Sequence, residues 1–248
     1  MKARCWLVTA AVVLLLPSVG RAQGLAGRFT IAVQVGTQSE VAGNMIQGTT
    51  GTLLDKPVSI DSLRYRDIYA PDWRIQGLLG FGVGERTEVI ARATYYKTTA
   101  VAGIEGGTFD DQQMFIYFPS QDDPYAYEET GFEVGFRYYL ATQARLKSYL
   151  APVVGVRFFN ESLISFSAPS AGSSIQNIPF SKESTVPVFG LDIGFSFDLS
   201  ERVYVGMDTG IRYQPPPGAF DYLLGLTKID DSDGRWSAPV VAMIGVRF

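Results

Sequence analysis

Histidine is absent from all 248 residues. That absence removes Ser-His-Asp and Cys-His nucleophilic systems, imidazole metal sites and the commonest general base. Cysteine occurs once, at Cys5 near the N-terminus, so the rest of the chain has no thiol, no disulfide and no cysteine metal site. Charged residues are scarce at 19%, below the usual quarter. Beyond the N-terminal segment no apolar run approaches the roughly 18 residues that a membrane helix requires. A helical membrane protein, a disulfide scaffold and the histidine or thiol hydrolases are therefore all poor readings of this chain.

What is present begins with an export signal. Lys2 and Arg4 precede an apolar run from Trp6 to Leu16, interrupted only by Thr9 and ended by Pro17, and Gly20-Arg21-Ala22 places small residues where cleavage occurs. This is the three-part layout of a secretory signal peptide, too short to span a bilayer. Residues 1–22 are read as the signal peptide and 23–248 as one domain. Cys5 lies inside the signal and precedes its apolar region, where a lipoprotein acylation site would not be. Taking Lys2, Arg4 and Arg21 from 21 basic residues leaves 18 against 25 acidic, a net charge near −7. Nucleic acid is not an expected partner for an exported chain of that sign.

From Leu25 onward the dominant signal has period two, the spacing that sends side chains to alternate faces of a strand. Phe29, Ile31, Val33 and Val35 oppose Arg28, Thr30, Ala32 and Gln34. Trp73, Ile75, Leu79, Phe81 and Val83 oppose Arg74, Gln76, Gly80 and Gly82. Val89, Ala91, Ala93 and Tyr95 oppose Glu88, Arg92 and Thr94, with Ile90 on the polar face. Phe132, Val134, Phe136, Tyr138 and Leu140 oppose Gly131, Glu133, Gly135 and Arg137. A fifth segment, Leu150 to Phe158, is apolar on both faces apart from Arg157. Phe189 to Phe197 carries Gly190, Asp192, Gly194, Ser196 and Asp198 on its polar side. Val203 to Ile211 carries Tyr204, Asp208 and Arg212. The last segment sets Trp236, Ala238, Val240, Ala242, Ile244, Val246 and Phe248 against Ser237, Val241, Met243, Gly245 and Arg247.

The polar face is rich in Gly, Arg and Asp and, as read here, has no lysine. A water-exposed sheet face normally carries Lys, Glu and Thr, whereas a narrow barrel interior needs small residues and mutually neutralising charges. The connections agree. Short turns follow the second, fourth and sixth segments, and long polar stretches (about 38–72, 97–127, 160–184 and 214–235) follow the first, third, fifth and seventh. Strict alternation of short turns with long external loops is the habit of transmembrane barrels. The expected fold is all-β: a closed antiparallel eight-stranded up-and-down transmembrane barrel. A ten-stranded variant arises if Ser59 to Tyr69, which partly alternates, joins the wall instead of extending a hairpin above the membrane.

This register assigns candidate roles. Arg28, Arg74, Glu88, Arg92, Glu133, Arg137, Asp192, Asp198, Asp208, Arg212 and Arg247 form an inward charge network. Asp192 and Asp208 are expected to meet Arg212 or a neighbouring arginine, with Glu133 and Arg137 at another level. Trp73, Tyr95, Phe158, Tyr213 and Trp236 at the loop ends, and Phe29, Phe81, Tyr138, Phe197 and Phe248 at the turn ends, form two outward aromatic girdles. In lipid, a sheet of this kind must close because no water satisfies free edges.

With these residues in view, the chain resembles the small outer-membrane barrels of the OmpA and OmpX type. Gly131-Phe132-Glu133-Val134-Gly135-Phe136-Arg137-Tyr138 and the final strand ending at Phe248 carry the likeness. The resemblance implies residence in the bacterial outer membrane. It also implies that Val240, Ala242, Ile244, Val246 and Phe248 are read by the outer-membrane assembly machinery, and that membrane lipid and surface lipopolysaccharide are partners. Enzymes similar to this fold, lipid A deacylases and outer-membrane proteases, use a histidine at the loop rim, and this chain has none. The carboxylate pairs Asp122-Asp123, Glu128-Glu129 and Asp230-Asp231 are read as loop acids. Asp231-Ser232-Asp233-Gly234 resembles the opening of a calcium loop but lacks the later ligands, so no metal and no cofactor are expected. The expected role is structural or surface-interacting, carried by long loops on a plugged barrel, and not enzymatic. A narrow pore or a route for small molecules is the alternative, and a loop-rim lipid-modifying enzyme a more distant one.

Overall fold

The computed structural model describes residues 24–53, 55–119, 126–140, 145–218 and 233–248. The signal segment, residues 1–22, lies outside them. The described chain forms β1 (Phe29–Ala42), β2 (Asn44–Ile46), β3 (Thr49–Leu53), β4 (Lys56–Ile60), β5 (Leu63–Arg64), a one-turn helix α1 (Tyr65–Ile68), β6 (Asp72–Gly82) and β7 (Thr87–Lys97). It continues with β8 (Ile104–Phe109), β9 (Gln112–Tyr117), β10 (Glu128–Tyr139), β11 (Leu146–Phe159), β12 (Ser162–Ala168), β13 (Ser173–Ser181), β14 (Ser184–Asp198), β15 (Val203–Gln214) and β16 (Arg235–Arg247).

Eight of these strands close an antiparallel barrel in the order β1-β16-β15-β14-β11-β10-β7-β6. Each barrel strand thus pairs with the barrel strands before and after it in the chain, and β1 meets β16. The seam is complete to its end, where the Phe29 and Phe248 amides each donate to the other's carbonyl, at 3.3 and 2.9 Å. The alternative of ten wall strands is not what forms, because the extra strands of the first long loop sit outside the barrel.

Two boundaries differ from the sequence reading. The first long loop starts after Ala42, not near residue 38, since Gln38 still pairs with Asp72 of β6 and Ala42 with Trp236 of β16. The inward side chains there, Gln38 and Glu40, are polar, and a polar run reads as loop unless a lumen partner is known. Likewise β11 starts at Leu146, which puts Lys147 in the lumen, buried against Asp198. The inward face therefore does contain a lysine.

The wall strands run from 11 residues in β6 to 15 in β14, whereas about 9–11 suffice to cross at the usual tilt. The longer strands, β14 above all, exceed that span, and the loop ends of the wall lead into a second sheet. Among the described residues, the first, second and third long loops each return a hairpin, β3–β4, β8–β9 and β12–β13, and these pair edge to edge in the order β13-β12-β9-β8-β4-β3. The β8–β9 turn is built on Asp110 and Asp111, both left-handed at φ 52° and 59°, the geometry of a tight two-residue hairpin. Gly107, at φ 125°, lies where a Cβ would run into the Ser59 carbonyl of β4, so only glycine permits that pairing.

Candidate functional site

Inside the barrel the inward positions are filled. Seven guanidiniums (Arg74, Arg92, Arg137, Arg157, Arg212, Arg235, Arg247) and six carboxylates (Glu40, Glu88, Glu129, Glu133, Asp192, Asp208) are all buried there. Glu133 of β10 is the centre. It accepts from Arg157 of β11 and from Arg212 of β15, whose Nε and second terminal nitrogen lie 3.1 and 3.2 Å from its two oxygens. Arg74 of β6 and Arg92 of β7 stand 3.5 and 3.6 Å away. One carboxylate thus draws guanidiniums from four other strands across the lumen.

Arg212 also donates to Asp192 at 2.5 and 2.9 Å, and Arg92 bonds both Asp192 and, at 3.3 Å, Asp208. The levels are therefore linked through Arg92 instead of stacking separately. Toward the turns, Asp208 accepts from Gln34 at 2.6 Å, from Arg137 at 3.3 Å and from the Tyr149 hydroxyl, while Tyr139 donates to Glu88 at 3.1 Å. At the turn-side mouth Asp198 takes Lys147 at 2.5 Å and Arg247, and Leu25 packs with Tyr139, Tyr149 and Tyr204. Glycines make the room. A Cβ at Gly190 would lie 2.5 Å from the Arg212 side chain.

At the outer mouth Arg235 donates to Glu129 at 2.6 Å and to Tyr127, and its Nε sits 3.2 Å from Glu40. The rings of Tyr127, Tyr65 and Phe159 lie 5.3, 5.6 and 6.0 Å from the same guanidinium, within cation–π range. Above them an apolar cluster joins the barrel rim to the external sheet. It includes Met45, Leu63, Ile68 and Tyr69 of the first loop, Ile60, Phe109, Ile116 and Phe118, then Ile164, Phe166, Ile178 and Phe180. Tyr69 and Tyr127 stack with centroids 4.7 Å apart. Burial raises both phenols well above their ordinary range, so they cap the mouth as neutral groups.

The outward face is the inverse of the lumen. Phe29, Ile31, Val33, Ile75, Leu79, Phe132, Val134, Phe136, Ile193 and Ile244 are all at least half exposed. Trp73 (63%) and Trp236 lie at the loop end, and Phe29, Phe81 and Phe248 at the turn end. A monomer in water does not hold so continuous an apolar belt, whereas lipid requires one, together with a closed ladder of backbone hydrogen bonds. The chain has the fold of a small outer-membrane β-barrel. Barrels with such a belt reside in the bacterial outer membrane.

No protein-family model and no curated protein matches the sequence. Among solved structures the barrel is similar to Neisserial surface protein A, at 15% identity and TM-score 0.46, covering 90% of this chain and 98% of that one. It is similar also to OprG from Pseudomonas aeruginosa (13%, 0.47, 92% and 99%) and to Ail, the attachment invasion locus protein of Yersinia pestis (12%, 0.41, 90% and 99%).

Of the residues singled out from sequence, Arg74, Glu88, Arg92, Glu133, Arg137, Asp192, Asp208, Arg212 and Arg247 lie buried in the barrel, and Asp198 half-buried at its turn end. Arg28 precedes β1 at the turn-side rim, half-buried, and its guanidinium donates to the Glu201 carbonyl at 3.4 Å. The girdle positions Tyr95, Phe158, Tyr138 and Phe197 face out, and Tyr213 stacks on Trp236 at 4.9 Å. Val240, Ala242, Ile244 and Phe248 are exposed along β16, with Val246 half-exposed. Glu129, read as a loop acid, is instead buried on β10, because that strand starts at Glu128. Arg235 and Glu40 were missed, although each sits an even number of residues from inward Ser237 or Gln38. The pair Asp122-Asp123 and most of the 230–234 stretch lie outside the described residues. Among the described residues no group of three acids forms a metal cage.

Proposed function

We propose that this outer-membrane barrel is a sealed anchor that holds an ordered external sheet at the cell surface for contact with surface lipid or neighbouring molecules. The observation that carries this reading is the joint one at the outer mouth. The ion-paired lumen is roofed by Tyr65, Tyr127 and Phe159, and the three loop hairpins share one apolar core with that roof. Charges that are paired with one another across the lumen support a plug more than a pathway. The lack of histidine removes the commonest general base, which favours a non-enzymatic role.

Hydrogen exchange on the protein in lipid nanodiscs tests the proposal, with and without lipopolysaccharide. The reading expects slow exchange in β8, β9 and β12, comparable to a folded domain, and further slowing of the external strands when lipopolysaccharide is added. Exchange of those strands at the rate of an unstructured chain would overturn it, because no ordered platform would exist.

A further inference from the structure

The edges of the external sheet, β3 and β13, lie at opposite ends of the strand order, yet Leu53 of β3 and Ile175 of β13 line the same cavity. The sheet is therefore curled into a cup, and the cavity lies among the hairpin ends farthest from the barrel. Its volume is about 200 Å³. Leu53, Phe109, Met114, Phe166 and Ala168 are buried around it and Ile175 is half-buried. No charged side chain lines it, and its polar groups are serine hydroxyls and backbone, with Ser174 exposed at one side.

We propose that this cup is a binding site for a small uncharged molecule built on one aromatic ring, its apolar body inside and a hydroxyl-sized polar group among the serines. Three features select that class. About 150 Å³ of enclosed apolar space takes up one benzene ring, so about 200 Å³ in a cup open to water on its serine side holds a ring with a small substituent. No charged side chain lines the cup, and the Lys56 ammonium, 5.9 Å from the Phe109 ring, is already paired with Asp110, so an ion gains no counter-charge there. The thioether of Met114 and the rings of Phe109 and Phe166 offer the sulfur and edge contacts that rings favour. The proposal stands on the cavity alone and survives or fails independently of the sealed-anchor reading.

The test is ¹⁹F NMR of 4-fluorophenol titrated into the full protein in lipid nanodiscs, with empty nanodiscs subtracted and 4-fluorobenzoate as the charged analogue. The expected result is saturable broadening or shift of the phenol signal and at least tenfold weaker binding of the benzoate. Ala168→Phe fills the cup and is expected to weaken phenol binding at least tenfold. Heat-modifiable migration on a gel verifies its barrel. If that variant does not fold, Ile175→Trp at the half-exposed rim serves instead, with the same expectation. No saturable signal beyond empty nanodiscs, equal binding of benzoate, or binding unchanged in the filled variant would each overturn the proposal.

Discussion

Replacing Glu133 by glutamine keeps the side chain's shape and removes the negative charge that Arg74, Arg92, Arg157 and Arg212 share. Removing one partner of a buried pair costs about 3–5 kcal/mol, because the other charge is left without compensation. The neighbouring acids moderate the loss. Arg92 and Arg212 keep Asp192, Arg157 keeps Glu129 at 3.7 Å, and Arg74 keeps the Gln38 amide oxygen. The expected cost is the low end, about 3 kcal/mol, or a roughly 150-fold shift in the folding equilibrium. Urea unfolding of the lipid-reconstituted barrel, read by Trp73 and Trp236 fluorescence, measures it as a lower midpoint at unchanged slope. Adding Arg157→Gln to Glu133→Gln removes a charge from each side of the network, so the double variant loses less than the sum of the single losses. An unchanged midpoint for Glu133→Gln, or strictly additive losses, would refute the reasoning. Either result would mean that water screens these charges and the lumen is open to it.

The glycines give a sharper steric prediction. Gly190→Ala drives a Cβ into an Arg212 side chain pinned by Glu133 and Asp192, and destabilises by about 1–3 kcal/mol in the same titration. Gly77→Ala, where a Cβ meets nothing within 4 Å, leaves the midpoint unchanged. Lipids brominated near the headgroup quench Trp73 and Trp236 more strongly than lipids brominated at the chain end, because both rings sit at the loop-side girdle. Ile116→Asp buries an unpaired carboxylate in the cluster joining sheet and barrel. It exposes β8, β9 and β12 to protease while the eight-stranded wall keeps its heat-modifiable migration.

The wall was legible because each strand repeats one rule. Outward residues meet lipid, inward ones meet a crowded lumen, and a register error of one would move every charge to the wrong face. Asp192, Asp208 and Arg212 could therefore be placed from parity alone. The rule failed where its premise changes. Above the membrane both faces of β1 meet protein or water, so Gln38, Glu40 and Val41 carry no lipid signature and read as loop. Arg235, the arginine at the outer mouth, sits one residue before Trp236, where the alternating segment was read to begin, and so was taken as the end of the fourth loop. The external sheet was harder still, since β3–β4, β8–β9 and β12–β13 are short and pair across loops distant in sequence. Single-strand periodicity records the faces of a strand and not its partners. Tyr65, Tyr69, Phe109 and Phe118 fall in the long stretches between wall segments, and that they share one core follows only from the hairpins meeting.

Single-channel recording in a planar bilayer tests the central claim, a lumen sealed by mutually paired charges, most directly. Reconstituted protein whose folding is verified by heat-modifiable migration is predicted to give no sustained, resolvable conductance at any applied voltage that the bilayer tolerates. Stable unitary steps from the unmodified protein would contradict the account and favour a narrow pore.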